Sequence, residues 1–570
     1  MKCIARVGYK KIAWVKSPLW QHNSQNLGKN MNLKNNYLLG AAVVIAASLP
    51  IVAMAQGNSA NAPGQNKAEV IHSAHHDHDF VLGTTAGKAV DTSFRREAKE
   101  KKRVPYVDSP NFDYDRAAQL GHTTSLAAPT TTGLGFDGLG QGFSGPSGSF
   151  TVQSAPPDTT GAVGATQFVQ WVNSSFTIFN KSTGAATYGP VAGNTLFSGF
   201  GGVCESTNDG DPIVLYDKLA DRWVLMQFAV PTGGPYMQCI AVSKTSDATG
   251  GYDRYAFQYT GFNDYPKAGV WPDAYYVSYN MFVPNTFGGA KACAMDRASM
   301  LAGSPTASQQ CFQLSTSYGG LLPSDLDGKT LPTAGTPNFF INLGTNSLNM
   351  WKFHVDWANV ANTTFTGPTA IPVTAFNAAC GGGTCVPQAG TSRTLDSLAD
   401  RAMYRLAYRK FADGHEALVV NHAVKVGTTK RNSYSATRWY EIRNPSATPV
   451  VFQQSTYSPD STSRWMGSVA MDKMGNIALA YSASSGTIKP ALRYATRLAG
   501  DALNTLSDET VIVQGAGAQT GTLSRWGDYS HLSVDPVDDC TFWYTSEYLK
   551  ADGTFNWSTR VTSFKINGCM

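Results

Sequence analysis

The sequence predicts an all-β protein made of seven similar units. Seven times, a short polar turn stands between two apolar runs that alternate at the period of a β-strand. The second residues of these turns follow one another at intervals of 56, 52, 65, 76, 62 and 63 residues, and they are Ala165, Asp221, Asp273, Asn338, Gly414, Asn476 and Asp539. Units of this length without helices between them are typical of four-stranded sheets stacked around an axis, so we predict a seven-bladed β-propeller.

The clearest turns share an aspartate placed four residues before an Asn or Asp. Asp217, Asp472 and Asp535 hold this position. Such side chains bond the local backbone and tolerate turn dihedrals, which is the chemistry of a β-hairpin. We expect each turn to follow the innermost strand of its blade, with all seven at one face of the ring. Residues 395–409 are the one stretch with a helical pattern, and we interpret residues 403–409 as the innermost strand of the fifth blade.

Residues 1–55 are predicted to be a secretory signal peptide. An 18-residue apolar run from Leu38 ends at residues 53–55 (Ala-Met-Ala), and only basic charges precede it, which is the pattern of a cleaved leader. A single-pass anchor is the alternative, which Pro50 disfavours, and Met31 is a second candidate for the true start. We expect a bacterial protein that is secreted, periplasmic or at the cell surface, with no integral membrane segment after processing.

The basic net charge belongs to this leader. Residues 1–55 hold seven Lys and Arg and no Asp or Glu, so removal of the leader lowers the formal net charge from +5 to −2. Phosphate contacts require many clustered cations, and nucleic-acid binding is therefore not expected. Charged residues make up only 15% of the chain, which also has 55 glycines. This composition suits a secreted all-β protein with many turns.

The cysteines agree with export. Of nine cysteines, Cys3 is lost with the leader, and an even number in an exported chain favours disulfide bonds. Spacings of the C-x₂-C type, which metal sites use, do not occur. Pairing in sequence order gives four local bridges, each within one blade or one loop: Cys204–Cys239, Cys293–Cys311, Cys380–Cys385 and Cys540–Cys569.

Residues 56–149 differ in composition from the predicted propeller, residues 150–570. A His/Asp cluster at residues 72–79 precedes a charged run at residues 95–103, and a glycine-rich stretch follows. This composition predicts a flexible N-terminal segment. The cluster is interpreted as an exposed stretch with incidental metal affinity, with a Zn²⁺ or Cu²⁺ site as the alternative.

The residues directly before the innermost strands of a propeller form a ring at the mouth of its central channel. Here the ring is rich in charged and aromatic side chains. Candidates for acid–base or nucleophilic chemistry are Asp211, Asp264, Tyr265, Asp528 and Tyr529. Arg grips carboxylates through two hydrogen bonds and Trp offers a flat face to a sugar. Candidates for substrate binding are therefore Arg401, Arg464, Trp465, Arg525 and Trp526. The alternative is structural, with turn-capping aspartates and packed Arg–Trp pairs.

Two aspartate-rich loops are candidates for a structural Ca²⁺ site, although neither has EF-hand spacing. Asp209 lies in one of them and Asp327 in the other. His422 and His531 are candidate acid–base groups, with satisfied core histidines as the alternative. The sequence lacks the G-x-S-x-G, H-E-x-x-H, P-loop and Rossmann motifs, and it also lacks the Asp-box of sialidases.

Several segments resemble a group of large secreted bacterial proteins known as sialidase-like propellers. The segments are residues 211–217, 264–273, 464–467, 525–529 and 534–544. The resemblance covers residues 150–570 and implies a propeller and export, without an established activity.

These observations lead to a hypothesis about function. We expect an extracellular carbohydrate-active protein that binds an anionic glycan or glycoconjugate in its central funnel, as a glycoside hydrolase or a polysaccharide lyase. Arg401, Arg464 and Arg525 would clamp the carboxylate of the ligand, and the two tryptophans would stack on its ring. The alternative is a non-catalytic binding or adhesion propeller at the cell surface or in the matrix, in which the same ring holds a ligand without turnover.

Overall fold

The computed structural model describes residues 67–89, 104–110, 112–121, 130–429 and 432–570. All of them belong to one of two compact units of the chain, Asn61–Met570. The predicted leader lies outside the described residues.

The described residues are predominantly strands, which confirms the prediction of an all-β protein. They include two short α-helices, Gly202–Ser206 (α1) and Arg297–Leu301 (α2). The strands are β1 (Glu69–His72), β2 (His75–Val81), β3 (Ala118–Leu120), β4 (Thr130–Asp137), β5 (Ser144–Gly145), β6 (Gly148–Ser149), β7 (Thr160–Val163), β8 (Gln167–Val172), β9 (Ser175–Asn180), β10 (Ala186–Ala192), β11 (Gly210–Asp217), β12 (Arg222–Ala229), β13 (Tyr236–Ser243), β14 (Gly251–Tyr259), β15 (Phe262–Val270), β16 (Tyr275–Phe282), β17 (Phe287–Met295), β18 (Ser308–Gln313), β19 (Leu322–Asp327), β20 (Asn338–Gly344), β21 (Ser347–His354), β22 (Thr364–Pro372), β23 (Thr384–Val386), β24 (Leu395–Asp396), β25 (Met403–Lys410), β26 (Glu416–Val426), β27 (Tyr434–Arg443), β28 (Val450–Ser458), β29 (Ser463–Met471), β30 (Ile477–Ser484), β31 (Ala491–Arg497), β32 (Thr510–Val513), β33 (His531–Val534), β34 (Thr541–Leu549) and β35 (Trp557–Ile566).

Most of these strands form antiparallel meanders: six consist of four consecutive strands, and in the last one β4 follows β33, β34 and β35. The meanders begin at β7, β11, β15, β19, β25, β29 and β33. The fourth and fifth meanders share one nine-stranded sheet, because their first strands, β19 and β25, pair in parallel. Each first strand contacts the first strand of the next meander, and β33 contacts β7. The first strands therefore close a cycle around a central axis, and β25 has the innermost position predicted for residues 403–409.

The predicted polar turns join the first and second strands of the meanders. Asp217 Oδ1 accepts a hydrogen bond from the Leu219 amide at 3.1 Å, and Asp472 Oδ1 accepts one from the Met474 amide at 2.9 Å. Asp535 bonds its own turn in the same way. These contacts confirm the hairpin chemistry predicted for the three aspartates. We call the end of the first strands at these turns the turn end, and the opposite end the mouth end.

The N-terminal segment differs from the prediction of a flexible stretch. Four of its strands extend sheets of the ring: β1 pairs with β18, β2 with β14, β3 with β28 and β4 with β35. A strand at a sheet edge gains ladder hydrogen bonds from its backbone alone, so it needs no strong apolar alternation. For this reason the polar sequence of residues 72–79 can form a strand.

The four predicted disulfide bonds are confirmed. Cys204–Cys239 links α1 to β13, Cys293–Cys311 joins β17 to β18, and Cys380–Cys385 closes a short loop. Cys540–Cys569 connects the start of β34 to the residues after β35. None of the helices in the described part of the chain has the length and apolar character needed to cross a membrane.

Candidate functional site

Strained backbone marks the mouth end of several first strands. The pairing of β11, β15 and β29 with their neighbours shifts register at their first residues. Within these bulges Asp211, Tyr265 and Met466 have φ angles of 46°, 55° and 53°, and Asp158 and Asp528 have 47° and 61° just before their strands. Side chains other than glycine rarely occupy this left-handed region, at a cost of about 1–3 kcal/mol each, and such strain concentrates at functional sites.

A lysine and two tyrosines meet at the mouth end. The Nζ atom of Lys267 lies 3.5 Å from the ring centroid of Tyr265 and 3.8 Å from that of Tyr529. The Tyr265 hydroxyl donates to the Asp528 carbonyl at 3.2 Å, and the Tyr529 hydroxyl donates to the Pro212 carbonyl at 2.9 Å. Lys267, Tyr265 and Tyr529 are all buried. We call these three residues the aromatic cage.

Asp158 lies beside the cage and is buried. Its Oδ2 atom accepts a hydrogen bond from Asn173 at 2.5 Å, whereas its Oδ1 atom has no hydrogen-bond partner among the described residues. Burial raises the pKa of Asp158 well above its usual range, and the charges of Asp211 and Asp528 raise it further.

Asp211 is a second carboxyl group of the mouth end with a raised pKa. It is partly exposed, and its Oδ2 atom accepts a hydrogen bond from the Tyr265 amide at 3.1 Å. Burial and the nearby Asp264 raise the pKa of Asp211 to about 7, although the charge of Lys267 opposes the rise. Burial lowers the pKa of Lys267 to about 7. The mouth end thus brings together Asp211, Asp264, Tyr265, Asp528 and Tyr529, the five residues predicted for catalysis.

Two of the predicted binding arginines reach this cluster, but both already have carboxylate partners. Arg401 Nε donates to Asp400 at 2.9 Å, and its guanidinium lies 4.4 Å from the ring centroid of Tyr265. Arg525 donates to Asp528, and its Nε lies 3.5 Å from an oxygen of Asp396. A ligand carboxylate would have to displace one of these partners.

Arg464, Trp465 and Trp526 do not have the exposure that the predicted binding roles require. Arg464 is completely buried and forms ion pairs with Glu509 and Asp460. The two indoles are also completely buried, with ring centroids 5.9 Å apart. Neither indole offers a face to a sugar, because each is packed inside the core. The structural alternative for these three residues agrees with their surroundings.

The turn end of the channel holds a second charged cluster. Arg405 donates to Asp325 at 2.6 Å and to Asp327 at 2.7 Å, and Lys218 lies 3.2 Å from Asp327. Burial alone would raise the pKa of Asp327, but the charges of Arg405 and Lys218 outweigh it and hold this pKa below its usual range. A cavity of about 20 Å³ adjoins these side chains and His531.

The two predicted calcium ligands, Asp327 and Asp209, bind other groups of the protein. The Asp327 carboxylate is bound by Arg405 and Lys218, and Asp209 accepts a hydrogen bond from the Val230 amide at 2.8 Å. Within the described ranges, no three His, Cys, Asp or Glu side chains are arranged to hold a metal ion. This holds for the His/Asp cluster of β2 as well, where His76 and His78 stack with ring centroids 5.9 Å apart.

The two predicted acid–base histidines are buried core residues. His422 bonds the Tyr440 hydroxyl at 2.9 Å, and His531 lies 3.2 Å from the Thr160 hydroxyl. Burial and a neighbouring arginine lower the pKa of each histidine well below its usual range. Both imidazoles are therefore neutral at physiological pH, which agrees with the structural alternative.

Three buried residues of the mouth end were not among the predicted site residues. They are Asp158, Lys267 and Glu547, whose pKa burial raises well above its usual range. Lys267 left a faint signal, since a lysine inside an apolar strand directly after Asp264-Tyr265-Pro266 has no place in a solvent-facing pattern. Glu547 lies in β34, three residues after the segment 534–544, and no pattern in the sequence distinguishes it from the other residues of that strand.

Comparison with known proteins leaves the family open. No family model and no curated protein matches the sequence. Among solved structures, an exo-β-1,3-galactanase from Clostridium thermocellum is 10% identical with a TM-score of 0.29, covering 72% of this chain and 81% of its own. A polysaccharide lyase active on ulvan is 12% identical with a TM-score of 0.27, covering 74% and 81%. The N-terminal domain of Nup159 is 7% identical with a TM-score of 0.31, covering 83% and 100%. Likenesses this weak support neither a fold nor an activity.

Proposed function

We propose that the chain is a seven-bladed β-propeller whose mouth end is a carbohydrate-active site. The closed cycle of seven first strands supports this fold. The four disulfide bonds agree with an exported protein, since such bonds persist in oxidising compartments. Export, the signal peptide and kinship with sialidase-like propellers belong to the same proposal.

One observation carries the proposed chemistry: Asp211 is partly exposed, has a pKa of about 7, and lies in the field of Asp264 and Asp528. Carboxyl groups whose environments separate their pKa values divide the roles of acid and base. In hydrolysis, protonated Asp211 gives its proton to the leaving glycosidic oxygen as the bond to the anomeric carbon breaks. Asp264 or Asp528 takes the proton from the attacking water, as in glycoside hydrolases with two carboxyl groups.

Binding of an anionic glycan rests on Arg525. This arginine is partly exposed and lies close to carboxylate oxygens of both Asp528 and Asp396, so a ligand carboxylate would compete with these two for its guanidinium group. Arg401 contributes less, because it is buried against Asp400 and Tyr265.

The test is a polysaccharide panel containing neutral and uronate-rich members. Hydrolysis is followed by release of reducing ends, and lyase action by ultraviolet absorbance of the unsaturated product. Asp211→Asn should lower the rate of cleavage by at least about 100-fold, which is the contribution that a general acid makes to the rate. The variant should still bind the same polysaccharide. The control is Asp413→Asn, in an exposed turn at the turn end, which should cleave normally.

The outcomes separate the two functional hypotheses. Binding without cleavage of any panel member would favour the non-catalytic adhesion propeller. Cleavage that survives Asp211→Asn would remove Asp211 from the proposed mechanism. Arg525→Gln should weaken binding of uronate-rich glycans and leave neutral glycans unaffected if Arg525 recognises a carboxylate.

A further inference from the structure

One of the four disulfide bonds differs from the others in its exposure to solvent. Cys380–Cys385 closes a loop between β22 and β25 at the mouth end, and Cys385 is exposed there while Cys380 is half-buried. The six cysteines of the other three bridges are all buried. A thiolate can reach the sulfur atoms of an exposed disulfide, which is therefore reduced more readily than a buried one. Of the four bridges, this one is the most accessible to a reductant.

The loop closed by this bridge, which we call the disulfide loop, supports Asp396. Its strand β23 pairs with β24, and Thr384 lies opposite Asp396 in this pair. Asp396 is buried, and its amide donates to the Ser524 carbonyl at 2.8 Å. The Oδ2 atom of Asp396 lies 3.5 Å from Arg525 Nε. The disulfide loop therefore lies directly behind a carboxylate that holds one of the two mouth-end arginines.

A second set of contacts joins the disulfide loop to the other mouth-end arginine. Ser397 bonds the Gly383 carbonyl twice, with its amide at 3.0 Å and with its hydroxyl at 2.9 Å. Gly382 packs closely against Asp400, because a Cβ atom at Gly382 would lie 3.1 Å from the Cβ atom of Asp400. Asp400 in turn accepts a hydrogen bond from Arg401 Nε at 2.9 Å. Both arginines are thus held by aspartates that contact this one loop.

We propose that Cys380–Cys385 is a redox-sensitive site, at which a dithiol reductant opens the disulfide loop and loosens the positions of Arg401 and Arg525. The bridge joins cysteines only five positions apart, and a disulfide that closes a short loop stabilises a fold less than one that closes a long loop. Its opening therefore leaves the ring folded. The change is confined to the disulfide loop and to Asp396 and Asp400, which rest against it.

The reaction is a thiol–disulfide exchange. A thiolate of the reductant attacks Sγ of Cys385, the more exposed cysteine, and the bond between the two Sγ atoms breaks. Cys380 leaves as a thiolate and takes up a proton. The second thiol of the reductant then attacks the reductant sulfur of the mixed disulfide and releases Cys385, which is protonated in turn. The dithiol is oxidised to a disulfide, and its two electrons pass to the two cysteines.

The first arm of the test measures which bridge opens. The folded protein is incubated without denaturant at increasing concentrations of dithiothreitol, and the free thiols are alkylated and located by peptide mapping. Cys380 and Cys385 should be half labelled at a dithiothreitol concentration at least about tenfold below that needed for the six buried cysteines, because exposed disulfides are the more easily reduced ones.

The second arm measures the consequence for the arginines, with phenylglyoxal as an arginine-specific reagent. Arg401 and Arg525 should react several-fold faster after selective reduction than before it. Arg464 is the internal control, since it is buried between Glu509 and Asp460 and should remain protected in both states. Reaction of Arg464 would instead report unfolding of the ring.

The double variant Cys380→Ser, Cys385→Ser imitates the reduced state. Its two mouth-end arginines should react fast without any reductant, and dithiothreitol at the selective concentration should not increase their reaction further. Arg464 should stay protected in this variant as well. The comparison attributes the change at the arginines to this bridge and not to the reductant itself.

Two results would overturn the inference: a buried bridge that opens at the same or a lower dithiothreitol concentration, or arginine labelling that selective reduction does not change. An effect on glycan binding rests on the proposed function, and reduction should then weaken binding of the uronate-rich polysaccharides. If thiols and arginines behave as expected and no polysaccharide binds, the redox-sensitive site stands and the carbohydrate assignment fails. If the bridge resists reduction while polysaccharides are cleaved, the proposed function stands and the redox-sensitive site fails.

Discussion

The charged side chains are arranged differently at the two ends of the central channel. At the turn end several aspartates form ion pairs: Arg405 binds Asp325 and Asp327, and Lys181 lies 2.7 Å from Asp535. At the mouth end, Asp158 and Asp211 have no ion-pair partner among the described residues, since Arg401 and Arg525 pair with Asp400 and Asp528. The ion pairs at the turn end bind neighbouring parts of the chain together, whereas burial at the mouth end raises the pKa of Asp158 and Asp211.

The backbone follows the same division. Hairpin turns at the turn end are capped by their own aspartates, whereas the mouth end carries bulges with left-handed Asp211 and Tyr265. A bulge re-aims a side chain at the expense of regular pairing. One end of each first strand thus serves stability, and the other end serves the site.

The largest expected effect comes from removing the cation at the turn end. Arg405→Met leaves the buried carboxylates of Asp325 and Asp327 without this cation, which should lower the free energy of unfolding by about 3–5 kcal/mol. Urea unfolding at pH 7 measures this loss. Lys473→Met, at an exposed position on the same end, is the control and should change stability by less than about 0.5 kcal/mol. Equal effects of the two variants would contradict the matched-charge view.

Asp327→Asn tests the sign of the pH dependence at the same end. The pKa of Asp327 is depressed in the folded protein, so its stabilising effect exists above its unfolded pKa of about 3.9 and disappears as the pH falls. The variant should therefore be clearly destabilised at pH 7 and approach the parent below pH 4. Unfolding curves at several pH values provide the comparison, and a pH-independent difference would contradict it.

The disulfide bond Cys540–Cys569 should have a smaller effect. The double variant Cys540→Ser, Cys569→Ser frees the last sheet at the turn end and should cost about 2–4 kcal/mol. Mapping of peptides under non-reducing conditions should first show the four local pairs in the parent. A matched double variant of Cys380–Cys385, which closes a much shorter loop, is expected to lose less stability.

Of these variants, Asp158→Asn should change the stability of the fold least. The pH dependence of its effect should be opposite to that of Asp327→Asn. The folded-state pKa of Asp158 is raised, so the parent loses stability as the pH rises from the unfolded pKa towards the folded one. Asparagine resembles the protonated acid and lacks this loss. The melting temperature of the variant relative to the parent should therefore increase between pH 4 and pH 8. A relative melting temperature that falls with pH would show that Asp158 is ionised in the folded protein.

The sequence predicted the turn end well and the mouth end only in part. Asp217, Asp472 and Asp535 act within four residues of their own position, so local chemistry was sufficient to interpret them. The disulfide pairs could also be predicted, because each one joins cysteines that are close in the sequence. The buried state of Arg464 and Trp465 depends on Glu509 and Trp526, which arrive from elsewhere in the chain. A residue type in a favourable position does not reveal which way its side chain faces.

The N-terminal strands and Lys267 illustrate two further limits. β1 to β4 join the ring through backbone hydrogen bonds, and the side-chain pattern carries little information about such pairing. The cage around Lys267 combines Tyr265 in β15 with Tyr529, which lies just before β33. Contacts of this kind exist only after the ring has closed.

The pairing of β4 with β35 has a consequence for how the molecule is made. The side chains of Asp137 and Arg560 meet across this pair although 423 positions separate them along the chain. A ribosome or an export channel delivers residue 137 long before residue 560, so the last sheet cannot be completed during synthesis or translocation. Until the C-terminus arrives, both strand edges remain open to other chains.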